Sequence, residues 1–240
     1  MRIAIAMPIF NEADGIEETL RELDVVFVGH SVTLCLQNDC STDETIDVIQ
    51  NLNDQLNMDL IISSNDFNLG HGPTTLRAYG MALDQMPDVV LQLDSDGQYF
   101  AHELPYICDL LNQGFDVVYG IRRQRFDPKL RRLITFFLRI FLFVRFGFYQ
   151  RDSNTPVRAY KPSSLSSLMK TIDSNSIIPN IFLTILASRA KLEVHNVEVG
   201  NRPRRGLHQV GTMWASASRF RSNIKLFRFV FRAFVQIIKL

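Results

Sequence analysis

Val89-Val90-Leu91-Gln92-Leu93-Asp94-Ser95-Asp96-Gly97-Gln98 is the stretch on which the reading of the whole chain turns. Its first half, Val89 to Leu93, is a short apolar run that reads as a buried strand. The run ends abruptly in two carboxylates one residue apart, then a glycine and a side-chain amide. Asp, Ser and Gly are turn formers, so a plain surface turn is one reading. Carboxylate and carbonyl oxygens also suit hard cations such as Mg²⁺ and Mn²⁺. A cation held there would bind a diphosphate and stabilise it as a leaving group. The segments on either side decide between the two.

Toward the N-terminus, residues 2–7 read as a first strand and residues 14–27, with Leu, Val and Phe at helical spacing, as a helix. Val32 to Leu36 is a second strand that ends at Asn38-Asp39-Cys40-Ser41. Thr42-Asp43-Glu44-Thr45 then opens a second helix, with Ser41 or Thr42 as its N-cap and acids in its first turn. Asp59 to Ser63 is a third strand. Residues 73–86 form a helix after Gly72-Pro73, with proline where its missing N–H costs least. Beyond the opening stretch, residues 103–113 read as helix and Asp116 to Gly120 as strand. Strands alternating with helices over about 120 residues predict a doubly wound, mostly parallel sheet, an α/β fold. In such sheets ligands sit at the carboxyl ends of the strands. Pro8 to Glu12, Asn38 to Thr45 and Asp94 to Gln98 all fall there, which predicts one shared site.

After Arg122 the character changes. Residues 130–149 are rich in Phe, Leu and Arg, residues 152–160 read as a loop leading into a short strand, and residues 177–190 as a helix. Leu192 to Val199 is a strand, residues 200–211 are rich in Gly and Arg, and residues 216–240 form a basic, aromatic helix.

The bulk numbers fit this plan. The chain has 240 residues, 46% of them hydrophobic, enough for a full core. The formal net charge of +1 argues against a nucleic-acid binder. Acidic residues crowd the first half and arginines the second, which points to an anionic partner for the C-terminal part. Cys35, Cys40 and Cys108 match no zinc spacing and read as reduced thiols, with Cys35 in strand core. Met1 leads straight into a strand and not a signal peptide, and no run of about 18 uncharged apolar residues suggests a spanning helix.

Four segments now stand in order: Met7-Pro8-Ile9-Phe10-Asn11-Glu12, Asn38 through Thr45, Asn68-Leu69-Gly70-His71-Gly72, and Asp94-Ser95-Asp96-Gly97-Gln98. In that order and spacing they resemble the family 2 glycosyltransferases, inverting enzymes with the GT-A nucleotide-sugar fold. The likeness is greatest to the branch of dolichyl-phosphate mannose synthase and undecaprenyl-phosphate glycosyltransferases, and it covers roughly residues 3–212. It implies that Pro8, Phe10 and Glu12 line a nucleoside pocket and that Asp39 contacts base or ribose. Asn38 and Cys40 depart from the usual Asp-Asp-Gly-Ser; asparagine keeps an acceptor oxygen, and Cys40 must adopt a backbone angle that suits glycine. The resemblance further implies that Asp94 and Asp96, with Gln98, hold Mg²⁺ or Mn²⁺. Ser95, Gly70 and Gly72 would lie against the sugar nucleotide. Asp152-Ser153-Asn154-Thr155-Pro156-Val157-Arg158-Ala159-Tyr160 resembles the Asp-x-x-x-Gly-Phe-Arg-x-Tyr segment of that branch, with proline for the usual glycine. It implies Asp152 near the acceptor and Arg158 orienting a carboxylate or phosphate. A structural ion pair is the other reading of Arg158. Arg122 matches an acceptor-phosphate arginine, with Arg131 assisting. Asn201-Arg202-Pro203-Arg204-Arg205-Gly206-Leu207-His208-Gln209 resembles the flexible loop over the donor diphosphate, and Arg202 and Arg205 are the expected contacts. A solvated basic turn is the alternative.

Residues 133–148 crowd phenylalanines around Arg139 and Arg145, as an interfacial amphipathic helix does. A buried helix with snorkelling arginines is the plainer alternative. Near the C-terminus, Lys225, Arg228, Arg232 and Lys239 share one face, and Phe227, Val230, Phe231, Phe234, Val235 and Ile238 populate the other. The expected organisation is a GT-A domain over 1–212, with an interfacial helix at 130–149, and a basic amphipathic helix over 213–240. The expected enzyme is cytoplasmic and attached to the inner face of a membrane, alone, as a homo-oligomer or with a membrane subunit. It would move a sugar from a nucleoside-diphosphate sugar to a polyprenyl phosphate by one in-line displacement, with inversion. Asp96, assisted by Asp94, would carry the metal, and Arg122 would hold the acceptor. A hydroxyl acceptor would instead need Asp152 as base. A nucleotidyltransferase would carry a Gly-rich, basic loop after the first strand, where Pro8 to Glu12 stands. A non-catalytic nucleotide-sugar-binding scaffold is the remaining alternative.

Overall fold

The computed structural model describes residues 1–123, 129–147, 150–205 and 219–238, with side chains left out at 129–135, 138 and 219–227. The elements run β1 (Arg2–Ile9), α1 (Ile16–Val26), β2 (Ser31–Asn38), α2 (Thr45–Leu52), β3 (Asp59–Ser64), α3 (His71–Asp84), β4 (Val89–Gln92), α4 (Leu104–Asp109), β5 (Val117–Arg122), α5 (Lys129–Phe146), β6 (Arg158–Tyr160), α6 (Pro162–Met169), α7 (Pro179–Arg189), β7 (Val194–Val199) and α8 (Arg219–Ile238). They build a seven-stranded sheet in the order β3-β2-β1-β4-β6-β5-β7. Every pairing is parallel except those of β6, which lies antiparallel between β4 and β5.

Strand β1 shows why the sheet is buried on both faces. Ile3, Ile5, Met7 and Ile9 point into one core with α1 and Leu104 and Ile107 of α4. Ala4 and Ala6 point into the other, against Ala78, Tyr79 and Ala82 of α3. The small residues on that face let α3 approach closely. A strand buried on both sides reads as a continuous apolar run, as this one does. A third cluster joins Leu142 of α5, Ile181 and Ile185 of α7, and Ala233 and Ile237 of α8.

Two expectations shift, and one helix is added. Helix α2 begins at Thr45 and not at Thr42, and neither Ser41 nor Thr42 caps it. Ser41 Oγ instead accepts Asn11 N at 3.0 Å and donates to Asn38 Oδ1 at 2.6 Å, while Asp43 Oδ1 accepts the Thr45 amide at 3.1 Å. Helix α6 was not read from the sequence. Its serines are weak helix formers, and the burial of Leu165 and Leu168 prevails over that propensity. On α8 the buried stripe is Ala233 and Ile237, whereas Phe231, Phe234 and Ile238 are exposed, with Arg228 and Arg232 exposed beside them. Phenylalanine and arginine therefore share an outer surface instead of dividing the helix between them.

Candidate active site

The parallel strands β1, β2 and β4 deliver their carboxyl ends to one edge, and a cavity of about 440 Å³ opens there. Pro8, Phe10 and Glu12 come from the end of β1, Asp39 from β2, Gly70 and His71 from the start of α3, and Asp94, Ser95 and Asp96 from β4. Arg204 closes the wall from the segment after β7. A second, polar cavity of about 590 Å³ adjoins it and shares Glu12 and Arg204.

Asp39 shapes the loop that precedes α3. Its Oδ1 accepts Leu69 N at 2.7 Å and Asn65 Nδ2 at 2.9 Å, and its Oδ2 accepts Gly70 N at 2.9 Å. Gly70 has φ +89°, a conformation that glycine adopts at least cost. Cys40 sits at φ +62°, the glycine-like angle expected of it. Asn38 uses both ends of its amide: Oδ1 accepts Ser41 N at 3.0 Å and Nδ2 donates to Ser64 Oγ at 3.1 Å. An aspartate there could only accept, so the Ser64 hydroxyl would have to turn and donate.

Burial and the neighbouring Asp94 raise the Asp96 carboxyl to about 6, against the Gln98 amide, Arg204 and His71, which favour its charge. Burial raises Glu12 to about 7; Arg204 opposes the shift and Asp96 adds to it. Arg204 is hydrogen-bonded to Glu12, and His71 Nε2 stands 3.7 Å from Asp94 Oδ1. Among the described residues, no group of three His, Cys, Asp or Glu is arranged to hold a metal by itself. Two carboxylates facing a cavity still fit a hard cation whose other ligands are substrate phosphates and water.

The remaining expected residues stand differently. Gln98 is not among the residues lining the cavity; its backbone N–H donates to Asp96 Oδ1 at 3.1 Å. Gly72 does not face the cavity closely for a ligand's sake: a Cβ there would lie 2.3 Å from Ser176 O, so it seats α3 against the segment before α7. Arg202 and Arg205 turn to α1. Both bond Glu22, Arg205 also pairs with Glu18 at 3.2 Å, and Arg202 Nε donates to Gly97 O at 2.8 Å. Burial works against the charge of Glu22, yet the two guanidiniums hold it below the usual carboxylate range. Of the three arginines, Arg204 lines the first cavity, and Arg204 and Arg205 both line the adjoining one. Sequence offers no signal for that choice, because a loop has no periodicity to assign directions.

Arg158 cannot meet an acceptor phosphate. It is 0% exposed, and it donates to Ser153 O at 2.7 Å, Thr155 O at 2.7 Å, Asn180 O at 2.9 Å and Thr184 Oγ1 at 3.0 Å. Its guanidinium also lies 4.6 Å from the centre of the Tyr119 ring. Its partners among the described residues are backbone carbonyls and hydroxyls, and not the carboxylate of the ion pair that the alternative reading expected. Arg122, at the end of β5, holds Asp152 through a fork of 2.7 and 3.1 Å. Both lie on the same sheet edge as Asp94 but outside the cavity wall. The side chain of Arg131, and all of Gly206 to Gln209, fall outside the described residues.

Residues 4–170 match the family model described as "Glycosyl transferase family 2". An undecaprenyl-phosphate 4-deoxy-4-formamido-L-arabinose transferase of Pseudomonas syringae is 24% identical over 179 residues, 74% of this chain and 52% of that protein. The chain thus spans about half the length of this relative. Among solved structures, glucosyl-3-phosphoglycerate synthase of Mycobacterium tuberculosis, in complex with Mn²⁺, UDP-glucose and glycerol 3-phosphate, superposes with a TM-score of 0.64 at 15% identity, covering 99% of this chain and 79% of that one. A mannosyltransferase of Pyrobaculum calidifontis in complex with GDP-mannose and Mn²⁺ also gives 0.64 at 15% identity, covering 99% and 64%.

Proposed function

The chain belongs to glycosyl transferase family 2 and has its GT-A fold, and on that premise we propose that it transfers a sugar from a nucleoside-diphosphate sugar to a polyprenyl phosphate. The observation that carries the reading is the meeting of Asp94, Asp96 and Arg204 in one cavity beside Pro8, Phe10 and Asp39. A nucleoside diphosphate needs a flat apolar wall, polar groups for the ribose, and positive charge for the phosphates. The polyprenyl phosphate acceptor is supported by the relative's name and by a second feature. Phe137 and Phe141 of α5, Ile181 of α7, and Phe229 and Phe234 of α8 line a cleft of about 300 Å³ with almost no polar surface. Phe136, Phe143, Val144 and Phe231 are exposed around it. No described helix is long and apolar enough to cross a membrane, so contact with lipid would run through this face.

In the proposed reaction the acceptor phosphate attacks the anomeric carbon in line with the departing diphosphate, which inverts the configuration. Asp94 and Asp96 would hold Mg²⁺ or Mn²⁺, which neutralises the leaving diphosphate. Arg204, bonded to Glu12 in the structure and lining the same cavity, would supply positive charge to that diphosphate. The planar guanidinium suits it to two phosphate oxygens. An acceptor phosphate is already anionic near neutral pH and needs no strong base, so positioning does most of the catalysis. Arg122 is the proposed acceptor-side arginine, and the fork to Asp152 fixes its orientation. The same fork occupies Asp152, which speaks against its use as a base toward a hydroxyl. The proposed organisation is the catalytic domain over 1–212 with the helix of 213–240 resting, together with α5, on the inner face of a membrane.

The test is a panel of UDP- and GDP-sugars with Mn²⁺ and a polyprenyl phosphate. Acid-labile label in the organic phase is expected. Turnover of a donor with no such label would move the acceptor to a hydroxyl.

A further inference from the structure

Beneath the cavity floor, a row of buried polar side chains ends on a carboxylate. The Tyr79 hydroxyl on α3 donates to Asn180 Oδ1 on α7 at 3.2 Å. Asn180 Nδ2 donates to Gln92 Oε1 at 3.1 Å. Gln92 Nε2, at the end of β4, donates to Asp94 Oδ1 at 3.2 Å. Tyr79 and Gln92 are 0% exposed and Asn180 is 4% exposed.

Each bond sets the direction of the next. An ionised Asp94 only accepts, so Gln92 presents NH₂ to it and oxygen to Asn180, and the Asn180 amide faces Gln92 with its NH₂. Asn180 Oδ1 is then left to accept the phenol, whose hydroxyl also lies 3.5 Å from Gln92 Oε1. The start of α7 is itself pinned, because Arg158 Nη1 donates to Asn180 O at 2.9 Å. Burying an amide in a strand that is otherwise Val89, Val90 and Leu91 costs free energy unless the amide is bonded. A leucine would fill the place without that cost. What the glutamine adds is a fixed donor on one oxygen of Asp94, which limits rotation of the carboxylate.

We propose that Gln92, oriented by Asn180, is a positioning residue that holds Asp94 in the attitude required for a divalent cation. The inference rests on the cation reading of Asp94 and Asp96 given above. The experiment is a titration of the full chain with Mn²⁺ alone, with the free ion followed by electron paramagnetic resonance and folding by circular dichroism. Gln92→Leu is expected to weaken Mn²⁺ binding roughly ten- to a hundredfold, as loss of a partner to a metal ligand does. Asn180→Leu is expected to weaken it less, and the double variant no more than Gln92→Leu, because the two act in series. A role confined to packing would lower the thermal midpoint and leave Mn²⁺ affinity alone. If Gln92→Leu does not fold, Asn180→Ala carries the same prediction at smaller size. A parent chain that binds Mn²⁺ no better than Asp96→Ala overturns the cation reading and this inference together. A parent that binds it, with folded variants within twofold, overturns this inference only.

Discussion

Glu12, Asp39, Asp94 and Asp96 line the cavity with one arginine, Arg204, among the described residues, and the proposed cation would balance this excess of carboxyl groups. Burial first, and the neighbouring Asp94 second, disfavour charge on Asp96. Its carboxyl is raised to about 6, so between the ordinary carboxylate range and pH 6 the folded chain binds more protons than the unfolded one. Stability of the metal-free protein therefore falls as pH rises through that window. Mn²⁺ affinity runs the other way, falling about tenfold per unit as pH drops below 6, because the proton competes for the ligand. A Mn²⁺ titration across pH 5 to 8 checks this, and a flat profile would contradict it. Arg204→Ala is expected to cost about a hundredfold in kcat, the scale of losing one donor to a developing anion. Arg202→Ala should cost far less, since Arg202 is held at Glu22 and Gly97. Steady-state kinetics of the pair, with equal losses as the contrary result, settles the choice. Asp94 and Asp96 were legible because an apolar strand ending in two acids leaves them little other place. The choice among Arg202, Arg204 and Arg205 was not, because neighbouring loop residues point in directions set by partners such as Glu22, far off in sequence.

Strand β6 shows the same lesson for elements. A three-residue strand is a weak sequence signal, yet it separates β4 from β5 and ties the sheet to α7. The tie is Arg158, which the resemblance assigns to a ligand and the fold uses as a buried brace. Arg158→Met is expected to cost about 3 kcal/mol, the scale of disrupting a buried charged network, while the KM for acceptor in the folded fraction stays near that of the parent. Thermal melts with acceptor kinetics test this; a stable variant with a raised acceptor KM would restore the ligand role. The parallel strands β1, β2 and β4 were legible because their apolar runs agree with burial on both faces, while β3 lies half-buried at the edge of the sheet. Helix α6 was hidden, because its serines favour loop and only packing of Leu165 and Leu168 makes it helical.

At the scale of the whole molecule, the proposed reaction would join two surfaces. The polar cavity lies at the carboxyl edge of the sheet, and the apolar cleft lies between α5, α7 and α8. Segment 176–180 touches both regions: Ile177 N donates to Gln236 of α8 at 3.2 Å, and Asn180 bonds Gln92. The surface of exposed phenylalanines and arginines is suited to anionic lipid. Combined substitution of Phe136, Phe143 and Phe231 by serine should abolish co-sedimentation with anionic vesicles and leave folding intact, since all three are exposed. Undiminished binding would contradict the interfacial reading. The most direct test of the central claim compares the parent with Asp96→Ala in transfer of label from the active donor into polyprenyl phosphate. The account predicts acid-labile, Mn²⁺-dependent label in the organic phase for the parent and its loss in the variant. Equal transfer by both proteins would contradict it.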